Sequence, residues 1–261
     1  MGEISIWYII LFSAAAAIIG NGIGALISGA IGKRSNVITC LLLAFAGGIM
    51  IAVVCFGLIP EAAVLSNTYI TFAGIIAGIL IIILLNKFVD LMTPKKTTLA
   101  QAPLIEPSQE QSTICSKRLL RSGILILVAI TLHNIPEGIA IGASGAHDMK
   151  LGITLAIIIA IHNVPEGIAV ATPLICGGMK NWKAITLATL SGTPTILGCV
   201  LGVLIGNISS IAIAISLAAA GGAMLYIVFA ELLSQSLNTK SRITPLIALT
   251  GVIIGFLIVQ I

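Results

Sequence analysis

Two histidines and two glutamates recur in one spacing. His133-Asn134-Ile135-Pro136-Glu137-Gly138-Ile139-Ala140 returns 29 residues later as His162-Asn163-Val164-Pro165-Glu166-Gly167-Ile168-Ala169. Within each copy the His and Glu are four apart, so on a helix they share a face. Both copies sit inside apolar runs, with no Lys or Arg at comparable depth. A carboxylate there costs several kcal/mol unless it is paired. Two antiparallel helices carrying these copies would make a four-ligand nitrogen and oxygen cage. A divalent cation neutralises two carboxylates, and imidazole with carboxylate suits zinc, iron and related first-row ions. For one copy alone, a kinked helix whose His and Glu bond each other explains the residues. Two copies on paired helices favour a metal.

The prolines extend the chemistry. Pro136 and Pro165 have no N–H, so the carbonyls of Leu132 and Ile161 lose their helical partners. Such backbone oxygen is tolerated in a membrane only where it faces protein or a polar cavity. Asn134 and Asn163, beside the histidines, add further oxygens.

The elements that must hold these residues are legible from hydropathy. The chain has 261 residues, 58% hydrophobic and 8% charged, against about a quarter charged in a soluble domain. Its mean hydropathy is +1.18. The expected class is an all-α integral membrane protein in which the bilayer is the solvent. With roughly 20 apolar residues per crossing, eight transmembrane helices fall near 4–31, 37–59, 68–91, 122–145, 151–176, 184–206, 208–236 and 243–261. The first run is too long for a signal peptide and lacks a basic leader, so it is read as a spanning helix. Residues 93–121, with Pro94, Pro103 and Pro107 and no apolar periodicity, read as a flexible cytoplasmic loop. The whole chain reads as one transporter domain.

Charge sets the orientation. With the N-terminus outside, Lys33, Arg34, Lys87, Lys95, Lys96, Lys117, Arg118, Arg121, Lys180, Lys183, Lys240 and Arg242 fall inside, and Lys150 alone falls outside. That asymmetry is the positive-inside pattern, and it puts both termini on the outer face. Cys40, Cys55, Cys115, Cys176 and Cys199 form no C-x-x-C pair and read as small hydrophobes. Small residues repeat every four positions at Gly20/Gly24/Ser28, Gly74/Gly78, Gly198/Gly202/Gly206 and Gly251/Gly255, which permits close helix packing.

A second repeat is fainter. Ala46-Gly47-Gly48-Ile49-Met50 resembles Ala220-Gly221-Gly222-Ala223-Met224, each followed by a carboxylate, Glu61 and Glu231. The copies lie on helices of opposite direction, the mark of inverted-repeat transporters. The implied plan is 3+2+3: three helices, a central pair, three inverted helices.

The doubled H-N-x-P-E-G on adjacent helices resembles the ZIP family of zinc and iron transporters, in particular its bacterial ZupT-like members. The resemblance covers the whole chain. It implies metal uptake into the cytosol of the cell across the plasma membrane, Zn2+ as substrate, and a homodimer. Carried over, His133, Glu137, His162 and Glu166 form the primary site. Met50 matches a position that adds a thioether, and Asn134 and Asn163, with Glu137 and Glu166, match a neighbouring secondary site. Where many relatives carry S-G-x-x-E-P, this chain reads Ser191-Gly192-Thr193-Pro194-Thr195. Thr195 thus replaces a glutamate, and Asn163 stands where some relatives have Asp, which leaves the secondary site less anionic. The long loop lacks the usual His cluster.

Other polar residues read as a pathway. Glu61 at the outer end of the second helix would attract cations, and Asp90 and Glu231 near inner ends would receive departing metal. Each is also an ordinary helix-end acid. His147 and Asp148 read as loop residues. The expected partners are the metal ion, the lipid bilayer and a second copy, with no nucleic acid. Two rival readings are an intramembrane metalloprotease, which lacks its H-E-x-x-H, and a cation/proton exchanger working in efflux. No G-x-x-x-x-G-K-[ST] loop is present to use ATP.

Overall fold

The computed structural model describes residues 3–31, 36–92, 109–204, 210–237 and 242–260. The side chains of Asp90 and Cys115 fall outside that description, as do residues 93–108 of the expected loop and Gly206-Asn207-Ile208. Every regular element among the described residues is helical. In chain order they are α1 (Glu3–Ile31), α2 (Val37–Leu65), α3 (Thr68–Met92), α4 (Gln109–His147), α5 (Met149–Cys176), α6 in two pieces (Asn181–Leu190 and Pro194–Leu204), α7 (Ser210–Leu237) and α8 (Thr244–Val259). The first seven are long and apolar enough to cross a membrane, and α8 is a shorter apolar helix.

Two expectations are corrected. The fourth helix starts at Gln109, not near residue 122. No breaker follows Pro107, and the Gln, Glu, Lys, Arg and Leu of this stretch are good helix formers, so the helix continues past the apolar run. The sixth helix is not continuous over 184–206. It breaks at Ser191–Thr193, between Leu190 and Pro194, with Gly192 in the turn. Pro fits a first helical position, where its missing N–H has no partner to lose. The Ser191 hydroxyl donates to the Ala188 carbonyl at 2.7 Å and the Thr193 hydroxyl to that of Leu190 at 2.7 Å, finishing the first piece.

Packing divides the helices into two groups of four. In one, α1 lies on α5, α4 on α6, and α4 on α5; in the other, α2 lies on α8 and α3 on α7. Within each group the backbones touch through glycine. A Cβ built on Gly24 would sit 2.0 Å from the Val164 carbonyl oxygen, and one on Gly198 would sit 2.1 Å from that of Ile135. In the second group, a Cβ on Gly78 would meet the Ala219 oxygen at 1.9 Å, and one on Gly251 the Phe45 oxygen at 2.4 Å. The groups meet where α2 faces α5 and α7 faces α4. Both α2 and α7 contain one π turn, Val53–Leu58 and Val228–Leu233. Such turns are inserted residues that often mark functional positions.

Polar ties cross between the groups at one end. The Ser122 hydroxyl of α4 donates to Glu231 of α7, Gln235 donates to Ser122, and Arg121 donates to Asn86 of α3. Ser122 is fully buried, so Ser122→Ala strips a charge-assisted bond from an intramembrane carboxylate. The expected loss is about 1.5–3 kcal/mol, read as a lower melting temperature of the purified protein than wild type; an unchanged melt would show that the tie carries no stability.

Candidate metal site

The doubled motif converges between α4 and α5. Pro136 and Pro165 lie inside their helices without ending them, so the i, i+4 spacing keeps each His over its Glu. The four side chains are 4%, 2%, 6% and 0% exposed for His133, Glu137, His162 and Glu166. One ligand atom from each lies within 4.8 Å of the others. The expected cage is therefore present as a geometry.

The distances show how unevenly its oxygens are served. Nε2 of His133 and Nε2 of His162 each lie 2.8 Å from the same oxygen, Glu137 Oε1. His133 Nε2 is 3.7 Å from Glu166 Oε1. Both Glu166 oxygens, and Glu137 Oε2, have no hydrogen-bond partner. No Lys or Arg is among the buried residues described. Two imidazole nitrogens crowd one oxygen while three others are unserved, which is costly in a low-dielectric interior. A tetrahedral ion with bonds of about 2.0–2.2 Å holds its ligands about 3.3–3.6 Å apart. Most of these pairs need shifts of under about 1 Å to reach that spacing, a matter of side-chain rotation.

The other predicted residues separate into those near this cluster and those remote from it. Met50 is 2% exposed and, with His133, Ala129, Ile130, Met224 and Ile227, lines a cavity of about 10 Å3, room for about one water-sized particle. Asn134 and Asn163 are fully buried; Asn134 Nδ2 donates to the Ser191 carbonyl at 2.8 Å, and neither Asn163 amide atom has a partner. Thr195 is fully buried, its hydroxyl unpartnered. Glu61 is exposed near the end of α2, away from the cluster. Glu231 is engaged by Ser122 and Gln235.

Sequence reasoning missed two residues. Met224 joins Met50 at the cavity beside His133. Asn21 of α1 is fully buried with both amide atoms unpartnered. A signal for Asn21 existed: it is a lone carboxamide in the middle of an apolar span, between Gly20 and Gly22.

A multi-pass helical membrane protein with a buried His2Glu2 cluster and no basic counter-charge defines a class, that of proteins handling divalent cations within the bilayer. Comparison with known proteins narrows it. The family model "ZIP Zinc transporter" matches residues 92–261. Among curated relatives, the zinc transporter ZupT of Streptococcus mutans serotype c is 31% identical over 257 residues, covering 95% of this chain and 93% of the relative. That of Chlorobium limicola is 34% identical over 260 residues, covering 95% and 94%. That of Clostridium perfringens is 32% identical over 237 residues, covering 82% of each. The chain belongs to the ZIP zinc transporter family, a family of transporters rather than enzymes.

Proposed function

We propose that this protein carries divalent transition-metal ions, zinc foremost, across the plasma membrane into the cytosol through the His133/Glu137/His162/Glu166 cluster. The observation that carries the reading is the convergence of four buried ligand atoms within 4.8 Å where two carboxylates have no basic neighbour. Iron, manganese and cadmium are candidate competitors. Met50 adds a thioether from across the group interface. Asn134 and Asn163 border a second, weakly anionic position near Thr195. Glu61 attracts ions at the outer end, and Glu231, with Asp90, receives them at the inner end.

The architecture we infer is eight crossings in a 3+2+3 inverted repeat forming one domain over residues 1–261. A two-fold that exchanges α4 with α5 would exchange α1 with α6, α2 with α7 and α3 with α8. The observed packing fits it: α1 on α5 matches α6 on α4, and α2 on α8 matches α7 on α3. The π turns of α2 and α7 are mates under the same operation. For α8, 16 residues rise about 24 Å, short of the roughly 30 Å hydrocarbon core. Its packing along α2, with Phe256 edge-on to Phe56 at 5.1 Å, supports a crossing. An even count with the positive-inside asymmetry puts both termini outside and the segment bearing Lys95 and Lys96 in the cytosol. Exposed Phe72, Leu80 and Leu84 of α3 offer apolar surface to lipid or to a second copy, in keeping with a homodimer.

No nucleotide is needed. A potential of 100 mV, negative inside, drives a double charge inward by about 4.6 kcal/mol. In proteoliposomes of known orientation, radiolabelled zinc is expected to enter saturably from the outer face and faster with a negative interior. Uptake needing an outward proton gradient from the cytosolic face would favour the efflux exchanger instead.

A further inference from the structure

The two close-packed helix pairs of the second group are built alike and differ at one place. A Cβ on Gly48 would lie 2.1 Å from the Ala248 oxygen in the α2–α8 pair, and one on Gly222 would lie 2.2 Å from the Ile75 oxygen in the α3–α7 pair. Gly251 meets the Phe45 oxygen as Gly78 meets that of Ala219. In the register those contacts set, Phe56 corresponds to Ala230 and Phe256 to Ile83. The two phenyl rings close their pair edge to face. Ala230 and Ile83 put smaller side chains in the same place, and both are exposed.

Where the rings are missing there is a groove. Ile79, Leu225, Tyr226, Phe229 and Ala230 line an open cleft of about 500 Å3 between α3 and α7. Sites for small molecules occupy roughly 300–1,000 Å3. The lining side chains are apolar apart from the Tyr226 hydroxyl. Phe229 and Ala230 belong to the π turn of α7, beyond the tight contact at Gly222.

The groove runs toward a basic end. Ile79, Ile83 and Lys87 recur every four residues and share one stripe of α3. That stripe rises about 12 Å, close to the roughly 15 Å of one hydrocarbon leaflet. Across its end lies α4. Arg121 donates to Asn86 of α3 and the neighbouring Ser122 donates to Glu231 of α7, so adjacent residues of one helix bridge the two walls. Lys117 and Arg118, four and three residues before Arg121, lie on the same side of α4. Both are exposed, as is Lys87. Glu231 follows Ala230, but Ser122 and Gln235 hold its carboxylate.

We infer that the α3–α7 groove is a binding site for an anionic phospholipid, its acyl chain along Ile79, Phe229 and Ala230 and its phosphate headgroup on Lys87, Arg118 and Arg121. Charge selects this occupant. Basic pockets between membrane helices take anionic headgroups, and each Lys or Arg near the surface contributes about fivefold to binding. A zwitterionic lipid brings its own cation against these residues. A second copy, related by a two-fold, presents the same surface patch and sets like charges against each other. The α2–α8 pair takes no lipid chain here, because Phe56 and Phe256 already fill the place.

Native mass spectrometry of the full chain in detergent tests the site, with phosphatidylglycerol and phosphatidylcholine of the same acyl chains as probes. Wild type is expected to retain one phosphatidylglycerol, at least about tenfold more tightly than phosphatidylcholine. Lys87→Gln combined with Arg118→Gln cuts phosphatidylglycerol affinity at least about tenfold and leaves phosphatidylcholine within about threefold. Ala230→Phe installs the ring of the other pair and weakens both lipids at least about tenfold, by taking the apolar surface that the chain covers. These substitutions fall on exposed residues at opposite ends of the groove, and a common folding defect does not produce that split. Equal retention of the two lipids by wild type overturns the inference. So does wild-type retention of phosphatidylglycerol by Ala230→Phe, which leaves only a basic surface attracting headgroups. Displacement of the lipid by inorganic phosphate alone makes the site one for free phosphate and overturns it as well. Lipid-free dimers that Ala230→Phe dissociates give the groove to a second copy instead.

Discussion

Glu166→Ala will abolish saturable zinc uptake, and so will His133→Ala. Losing an outer-shell partner of a metal ligand costs about 10–100-fold in affinity, so losing one of four direct ligands is expected to exceed about 100-fold. In the proposed site Glu166 supplies charge as well as a ligand atom. With both glutamates ionised a bound Zn2+ leaves no net charge; with one gone, the occupied site is left with a net positive charge in the bilayer interior, where charge costs several kcal/mol. Glu166→Gln separates ligand from shape. It keeps the volume at a fully buried position and removes a carboxylate that has no hydrogen-bond partner. Without metal, Glu166→Gln should melt at or above wild type, since an unpaired buried charge destabilises. Wild type should gain melting temperature with added zinc, by the linkage of binding to the folded state, and Glu166→Gln should not. Initial uptake rates in vesicles matched for protein content, together with melts with and without zinc, decide it. Saturable uptake surviving in both Glu166→Ala and His133→Ala would remove the cluster from the pathway.

The cluster was legible because the membrane makes polar residues expensive. His133, Glu137, His162 and Glu166 announced themselves by type and by a spacing that fixes a shared helix face. The same reasoning applies to Asn21, but its apolar run reads as an ordinary span and its one carboxamide lacks a repeat in the motif. Under the proposed inverted repeat its mate is Thr195, a different residue type, so the relation is invisible in the letters and rests on the matching contacts with Gly167 and Gly138. Met224 was hidden for a similar reason: methionine in an apolar helix fills space by default, and its approach to His133 depends on how two helix groups meet. Charge at the end of an apolar run marks a helix end in the letters. The structure departs from hydropathy where helix and hydrophobicity part company. Gln109 to Arg121 is helical without being apolar, and Ser191–Thr193 interrupts a helix inside an apolar run because Gly192 and Pro194 bracket a turn.

The other large effect comes from backbone contact, not from ligands. A Cβ on Gly138 would lie 2.0 Å from the Thr195 oxygen and 2.8 Å from the Cys199 nitrogen; on its mate Gly167 it would lie 2.1 Å from the Asn21 oxygen and 2.9 Å from the Asn21 carbonyl carbon. These are main-chain atoms, so no side chain can swing away, and helices must separate. Overpacking of this kind costs about 1–3 kcal/mol or more. It also moves Glu137 or Glu166, one residue earlier, out of a cluster whose pairs are set to within about 1 Å. Gly138→Ala and Gly167→Ala are each expected to lower the melting temperature by about 2–12 °C, at about 2–4 °C per kcal/mol for a chain near this size, and to reduce uptake. Gly22→Ala is the control in the same membrane context. Its Cβ would meet only the Thr189 side chain at 3.6 Å, ordinary contact, and alanine is the better helix former by about 1 kcal/mol. That variant should melt at or above wild type with uptake intact. If Gly138→Ala and Gly22→Ala behave alike, α4 and α6 do not approach as closely as described.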